Sequence, residues 1–99
     1  MPRHPALTAA ELDHFLAASP EWSLEEGMLV RRATATSFPE AIRWVVAVAE
    51  AAERADHHPD IDIRWRTVTF RLSTHDSGAL TILDVNLARD IDAALDVSS

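Results

Sequence analysis

The sequence predicts an α+β domain, a four-stranded antiparallel sheet with helices packed on one face, in the order α-β-β-α-β-β-α. Three observations carry that expectation. Strand-like runs come in adjacent pairs, with a helical pattern between the pairs and another at each end. Adjacent strands joined by short turns pair antiparallel, because a parallel pair needs a long crossover. Finally, Ser or Thr followed three residues later by an acid recurs where the helical patterns begin, the spacing of a capping box.

In chain order, Thr8 with Glu11 opens the first helix, and Leu12, Phe15 and Leu16 recur at helical intervals until Ser19-Pro20 ends the run. WSLEE and MLVRRATAT then read as two strands hinged at Gly27, although the apolar run Met28-Leu29-Val30 alternates poorly. Ser37 with Glu40 is a second capping box, with Pro39 in the tolerant first turn of a helix over about residues 38 to 55. Its expected buried stripe is Phe38, Ile42, Val45, Val46, Ala49 and Ala52. Pro59 disfavours helical geometry at His58, so the chain leaves the helix around Asp56 to His58. Ile61, Ile63 and Trp65 share one parity while Val68, Phe70 and Leu72 share the other, the phase shift of a second hairpin turning near Arg66-Thr67. Thr81 and Asp84 resemble a weaker cap, followed by Ile82, Val85, Ala88, Ile91 and Leu95 at helical spacing. No internal repeat, low-complexity segment or linker interrupts the pattern, so residues 1–99 are expected to form one domain.

Composition narrows the function classes. A domain of 99 residues is small enough that self-association would usefully extend its buried surface. The net charge of -7 opposes the phosphate-neutralising contacts of nucleic-acid binding, and no basic run beyond Arg31-Arg32 and Arg64/Arg66 offsets it. The absence of cysteine removes disulfides and thiolate chemistry and fits a cytosolic protein. No segment reads as membrane-spanning or as a signal peptide, so a soluble, cytoplasmic protein is expected.

The chemistry concentrates in ERADHHPDIDIRW, residues 53–65. His57 and His58 would point about 100° apart on a regular helix, but in extended chain ahead of Pro59 they can line two sides of a pocket. Glu53 lies one helical turn before His57, where its carboxylate can accept from an imidazole nitrogen and fix the tautomer. An imidazole with an unperturbed pKa of about 6.5 can both give and take a proton at neutral pH. His75 follows the last strand, and if the second hairpin folds back it returns toward the His57-His58 pair; Asp84 would add a carboxylate from the last helix. With no Cys, serine elbow or glycine-rich phosphate loop, this set points to proton transfer without a covalent intermediate. The bland reading of a lone His-His-Pro is a solvated turn. A zinc or iron(II) site, in a metal-dependent hydrolase or isomerase, is a weaker competitor, because no His-x-x-x-His pair sits on a helix. His4 and His14 read as surface residues. Trp44 and Trp65 read as core or subunit-contact aromatics, Trp65 also being able to flank a flat heterocycle.

The spacing Glu53, three residues, His57-His58-Pro59, five residues, Trp65, nine residues, His75, eight residues, Asp84 resembles the signature of the pterin-4a-carbinolamine dehydratases, also known as dimerisation cofactors of a homeodomain transcription factor. The resemblance runs over roughly residues 8 to 95, including Trp22 and the segment DVNLA. It implies dehydration of a 4a-hydroxytetrahydropterin, such as the tetrahydrobiopterin form, to the quinonoid dihydropterin plus water, linking the protein to aromatic amino acid hydroxylases whose cofactor is thereby recycled. It implies no metal and no cofactor, the pterin being substrate, and a homodimer or homotetramer. His57, His58 and His75 match the family's active-site histidines, with Glu53 and Asp84 as supporting acids; Pro59 and Trp65 complete the pattern. His57 and His75 are expected to serve as acid and base, and His58 to assist binding. One departure is Leu83, where many members carry Arg, which bears on pterin affinity or specificity. The alternative is a non-catalytic protein-binding or assembly scaffold on the same fold; retention of all three histidines with both acids favours the enzyme.

Overall fold

The computed structural model describes residues 4–75 and 77–98; the remaining termini of the expected 1–99 domain lie outside the described residues. Its elements are α1 (Ala9–Ala18), β1 (Ser23–Glu25), β2 (Met28–Thr34), α2 (Phe38–Ala55), β3 (Asp60–Arg64), β4 (Thr67–Leu72) and α3 (Ile82–Ser98), in the order expected. The strands form one antiparallel sheet ordered β1-β2-β4-β3, so β4, with the most buried side chains, is central and β3 is an edge. Among the described residues no helix is long and apolar enough to cross a membrane.

Local chemistry explains most boundaries. The Thr8 hydroxyl accepts from the Glu11 N–H at 3.1 Å and the Glu11 carboxylate accepts from the Thr8 N–H at 2.9 Å, both bonds of the expected box. β1 and β2 are joined by Glu26 and Gly27 at φ 52° and 78°, the paired left-handed conformation whose twist suits a two-residue hairpin. At the start of α2 the Ser37 hydroxyl accepts from the Glu40 N–H, but Glu40 reaches one residue further back than a capping box requires, accepting from the Thr36 N–H and hydroxyl at 2.7 and 3.1 Å. The second hairpin turns at Trp65-Arg66, one residue earlier than the spacing suggested, with Trp65 at φ 55° and the Arg66 guanidinium stacked 4.3 Å from its ring centroid.

The core lies between the helices and one face of the sheet. Val68, Phe70 and Leu72 enter it from β4 at strand period, Leu29 from β2, Trp44 and Val48 from α2, and Leu87, Ala88, Ile91 and Leu95 from α3. Phe15 anchors α1. Arg31 occupies an inward position on β2, and its guanidinium is matched by Asp92 of α3, which also accepts from Trp22 Nε1 at 2.9 Å. This ion pair ties the first hairpin to the last helix, while the poor alternation of Met28-Leu29-Val30 reflects burial of both Leu29 and Val30.

The expected stripe on α2 is corrected. The face buried against the fold is Ala41, Trp44, Val48, Ala51 and Ala52, together with Glu40. Of the expected stripe only Ala52 is fully buried, whereas Phe38 and Val46 are 48% and 53% exposed. Small alanines let the helix approach its neighbours closely, so the inward face is the less hydrophobic of two apolar arcs. Of the other expected residues, Val45 packs against the edge of the core, while Phe38, Val46 and Ala49 are exposed and Ile42 is partly so, a second arc along the outer side of the helix.

Candidate active site

The end of α2 sets the position of the histidine pair. Asp56 takes the left-handed conformation at φ 51°, which an Asp tolerates, and terminates the helix. The next N–H, that of His57, bonds back to the Ala52 carbonyl at 3.2 Å, so the backbone of His57 is tied to the last helical turn while its side chain swings inward. His58, extended ahead of Pro59, points the other way and is exposed.

Antiparallel pairing closes the site. Asp60 at the start of β3 stands opposite Arg71 near the end of β4, so the loop following β4 emerges beside the histidine pair. The result is a cavity of about 470 Å³, in the range of small-molecule sites, lined by His57, His58 and Pro59 from one side and Thr74, His75 and Ser77 from another. Leu83 and His4 also line it, so the position that departs from the signature lies at the cavity and His4 is more than a remote surface residue. His4 is held there in part because its carbonyl accepts from the Ser77 hydroxyl at 2.9 Å.

His57 and Asp84 form the centre of the arrangement. The Nε2 of His57 lies 2.7 Å from Oδ1 of Asp84, and the carboxylate is completely buried. Its other oxygen, Oδ2, accepts from the Thr74 hydroxyl at 2.7 Å and the Thr81 N–H at 2.9 Å. Both contacts on Oδ2 are donors, so the carboxylate is arranged as an acceptor whose remaining oxygen faces His57. An acceptor at Oδ1 favours the tautomer with its proton on Nε2, which leaves Nδ1 as the second ring nitrogen of a residue that lines the cavity.

Glu53 is placed differently from the expectation. It binds Nε2 of His58 at 2.8 Å, not His57, because the left-handed turn at Asp56 breaks the helical spacing and swings His57 toward Asp84. This pair is exposed and adds little stability, but it orients the His58 ring at the rim. Trp65 does not reach the cavity: it is 70% exposed at the hairpin tip, the length of β3 away from His58. Among the described residues no group of three or more His, Asp or Glu side chains is arranged to hold a metal ion. Sequence reasoning passed over Thr74 and, beyond its capping role, Thr81; only the fold brings their hydroxyls to Asp84.

Comparison with known proteins identifies the family and the fold. The family described as Pterin 4 alpha carbinolamine dehydratase matches residues 5–94. A relative from Nocardia farcinica, provisionally named a pterin-4-alpha-carbinolamine dehydratase, is 62% identical over 73 residues, covering 74% of this chain and 77% of its own. One from Chloroflexus aurantiacus with the same provisional name is 50% identical over 88 residues, 89% of this chain and 95% of its own. The crystal structure of a transcriptional coactivator/pterin dehydratase from Brucella melitensis superposes with a TM-score of 0.87 at 28% identity, over 92% of this chain and 99% of that one. A pterin dehydratase-like protein identified as a RuBisCO assembly factor in the alpha-carboxysome shares the fold, with a TM-score of 0.63 at 21% identity over 75% of this chain and 86% of that one.

Proposed function

The chain belongs to the pterin-4a-carbinolamine dehydratase family, and on that footing we propose that it dehydrates a 4a-hydroxytetrahydropterin to the quinonoid dihydropterin and water by histidine acid/base catalysis. The observation that carries the reading is the buried His57–Asp84 pair opening on a cavity shared with His58 and His75. The reaction breaks the C4a–O bond and removes the proton on N5, so it needs a proton donor to the departing hydroxyl and an acceptor near N5. His57, its Nε2–H committed to Asp84, offers the Nδ1 lone pair as acceptor. His75, in the loop across the cavity, supplies the proton to the hydroxyl, and His58, oriented by Glu53, helps bind the pterin. The two protons balance, one leaving N5 and one entering water, and the chemistry calls for neither metal nor cofactor. The reading extends to recycling of the tetrahydrobiopterin used by aromatic amino acid hydroxylases in the cytosol.

The deciding experiment follows decay of a chemically generated 4a-hydroxytetrahydropterin with and without the protein. Acceleration over the spontaneous rate is expected; its absence would favour a non-catalytic protein-binding or assembly scaffold.

A homo-oligomer, dimer or tetramer, is part of the same reading. Its support is the outward arc of α2, where Phe38 and Val46 stand about half exposed in line with Ile42 and Ala49. Val46→Glu is expected to lower the mass measured by sedimentation equilibrium while leaving the circular dichroism spectrum unchanged. An unaltered assembly would remove this face from the interface.

A further inference from the structure

Thr74 and Thr81 take no part in the chemistry proposed above, yet they are 5% and 0% exposed and their hydroxyls are in contact. The order of donors in this contact is forced. The Thr81 hydroxyl oxygen accepts from the Leu83 N–H at 3.2 Å, and its single proton, fully buried, needs an acceptor. Thr74 Oγ1, 2.8 Å away, is that acceptor. The proton of Thr74 is then directed to Asp84 Oδ2, 2.7 Å away, where the Thr81 N–H also donates at 2.9 Å. Oδ2 is thus filled by two donors, the carboxylate cannot exchange its oxygens, and Oδ1 alone faces His57.

We infer that Thr74 and Thr81 are positioning residues that fix the tautomer of His57 through Asp84. The inference rests on the dehydratase reading for its catalytic consequence, because it makes Nδ1 the nitrogen that receives the pterin proton. Removing the Thr74 hydroxyl leaves Oδ2 with one donor and lets the carboxylate turn, so His57 samples both neutral tautomers and part of the enzyme holds a proton where a lone pair is required. The backbone of Thr74 is anchored independently of its hydroxyl: its N–H donates to the Ala79 carbonyl at 3.1 Å and its carbonyl accepts from the Gly78 N–H at 2.9 Å. A Thr→Val change therefore removes the hydroxyl from a backbone that is otherwise held.

The test combines the histidine tautomer, read by long-range proton–nitrogen correlation on protein carrying ¹⁵N-histidine, with steady-state kinetics. In the unsubstituted protein at neutral pH, His57 is expected to show protonated Nε2 and bare Nδ1. In Thr74→Val the two nitrogen shifts move toward each other, kcat falls on the order of tenfold or more and KM changes little, a lesser version of the loss seen when the residue orienting a catalytic histidine is itself replaced. Thr74→Ser, which restores the hydroxyl, recovers both signatures, and Thr74→Ala serves in place of valine should the bulkier variant misfold. A folded Thr74→Val protein that keeps the His57 nitrogen shifts of the unsubstituted protein would overturn the assignment, whatever its turnover. A lack of pterin turnover in the unsubstituted protein would overturn the dehydratase reading instead, and the tautomer shift would still decide the role of the threonines.

Discussion

At the residue scale, the site depends on a few groups whose spacing in sequence is only partly informative. His57, His58, His75 and Asp84 were legible as a set through the spacing of the signature, since the residues alone bring His75 toward the pair only if the second hairpin folds back and otherwise read as a solvated turn. The partner of His57 was not. Helical spacing pointed to Glu53, but that spacing holds only while the helix continues, and the left-handed Asp56 ends it one residue before His57. The contributions of Thr74 and Thr81 were invisible for a further reason: a buried hydroxyl acquires its role from what the fold places beside it. His57→Ala and His75→Ala are each expected to lower kcat by on the order of 10² or more while leaving the fold intact by circular dichroism. A His75→Ala protein with undiminished turnover would remove His75 from the chemistry.

At the element scale, caps and turns were read correctly where the chemistry is local, as at Thr8 and Gly27. The buried face of α2 was misread, because Ala41 and Ala51 contribute little to a hydrophobic pattern although both are buried in the core. The first hairpin offers a prediction in pH. The Arg32 guanidinium, bonded to the Glu25 carboxylate at 2.7 and 3.0 Å, with a further bond from the Ser23 hydroxyl, holds the Glu25 pKa at about 2 instead of the ordinary 4.5. A lowered folded-state value means the pair stabilises the fold above the ordinary carboxylate range and loses that contribution as pH falls through about 2. The pair is solvent-exposed, so the effect on overall stability is small. A ¹³C titration of the Glu25 side chain is expected to show the low midpoint, and Arg32→Ala to return it toward 4.5.

At the scale of the whole molecule, the order of elements and the antiparallel sheet followed from the sequence because paired strands and intervening helices leave few topologies open. The strand order β1-β2-β4-β3 did not, since adjacency of β2 and β4 comes from a connection through α2 that no turn signal specifies. α3 contributes Val85, Leu87, Ala88, Ile91 and Leu95 to the buried core. Leu87→Ala, removing a fully buried side chain there, is expected to cost about 2–5 kcal/mol, measured as a lower urea midpoint with an unchanged slope. A loss near zero would show that α3 contributes little to the cooperative unit.

The lining of the cavity comes from the end of α2, the loop after β4, the start of α3 and the segment ahead of α1. No contiguous fragment of this chain carries a working version of it. A partly synthesised or partly melted molecule therefore has no residual activity of intermediate quality, only more or fewer intact copies. On the dehydratase reading proposed above, the rate of pterin turnover per milligram doubles as a census of native molecules, and during heating or denaturant titration it is expected to fall in step with the loss of the fold.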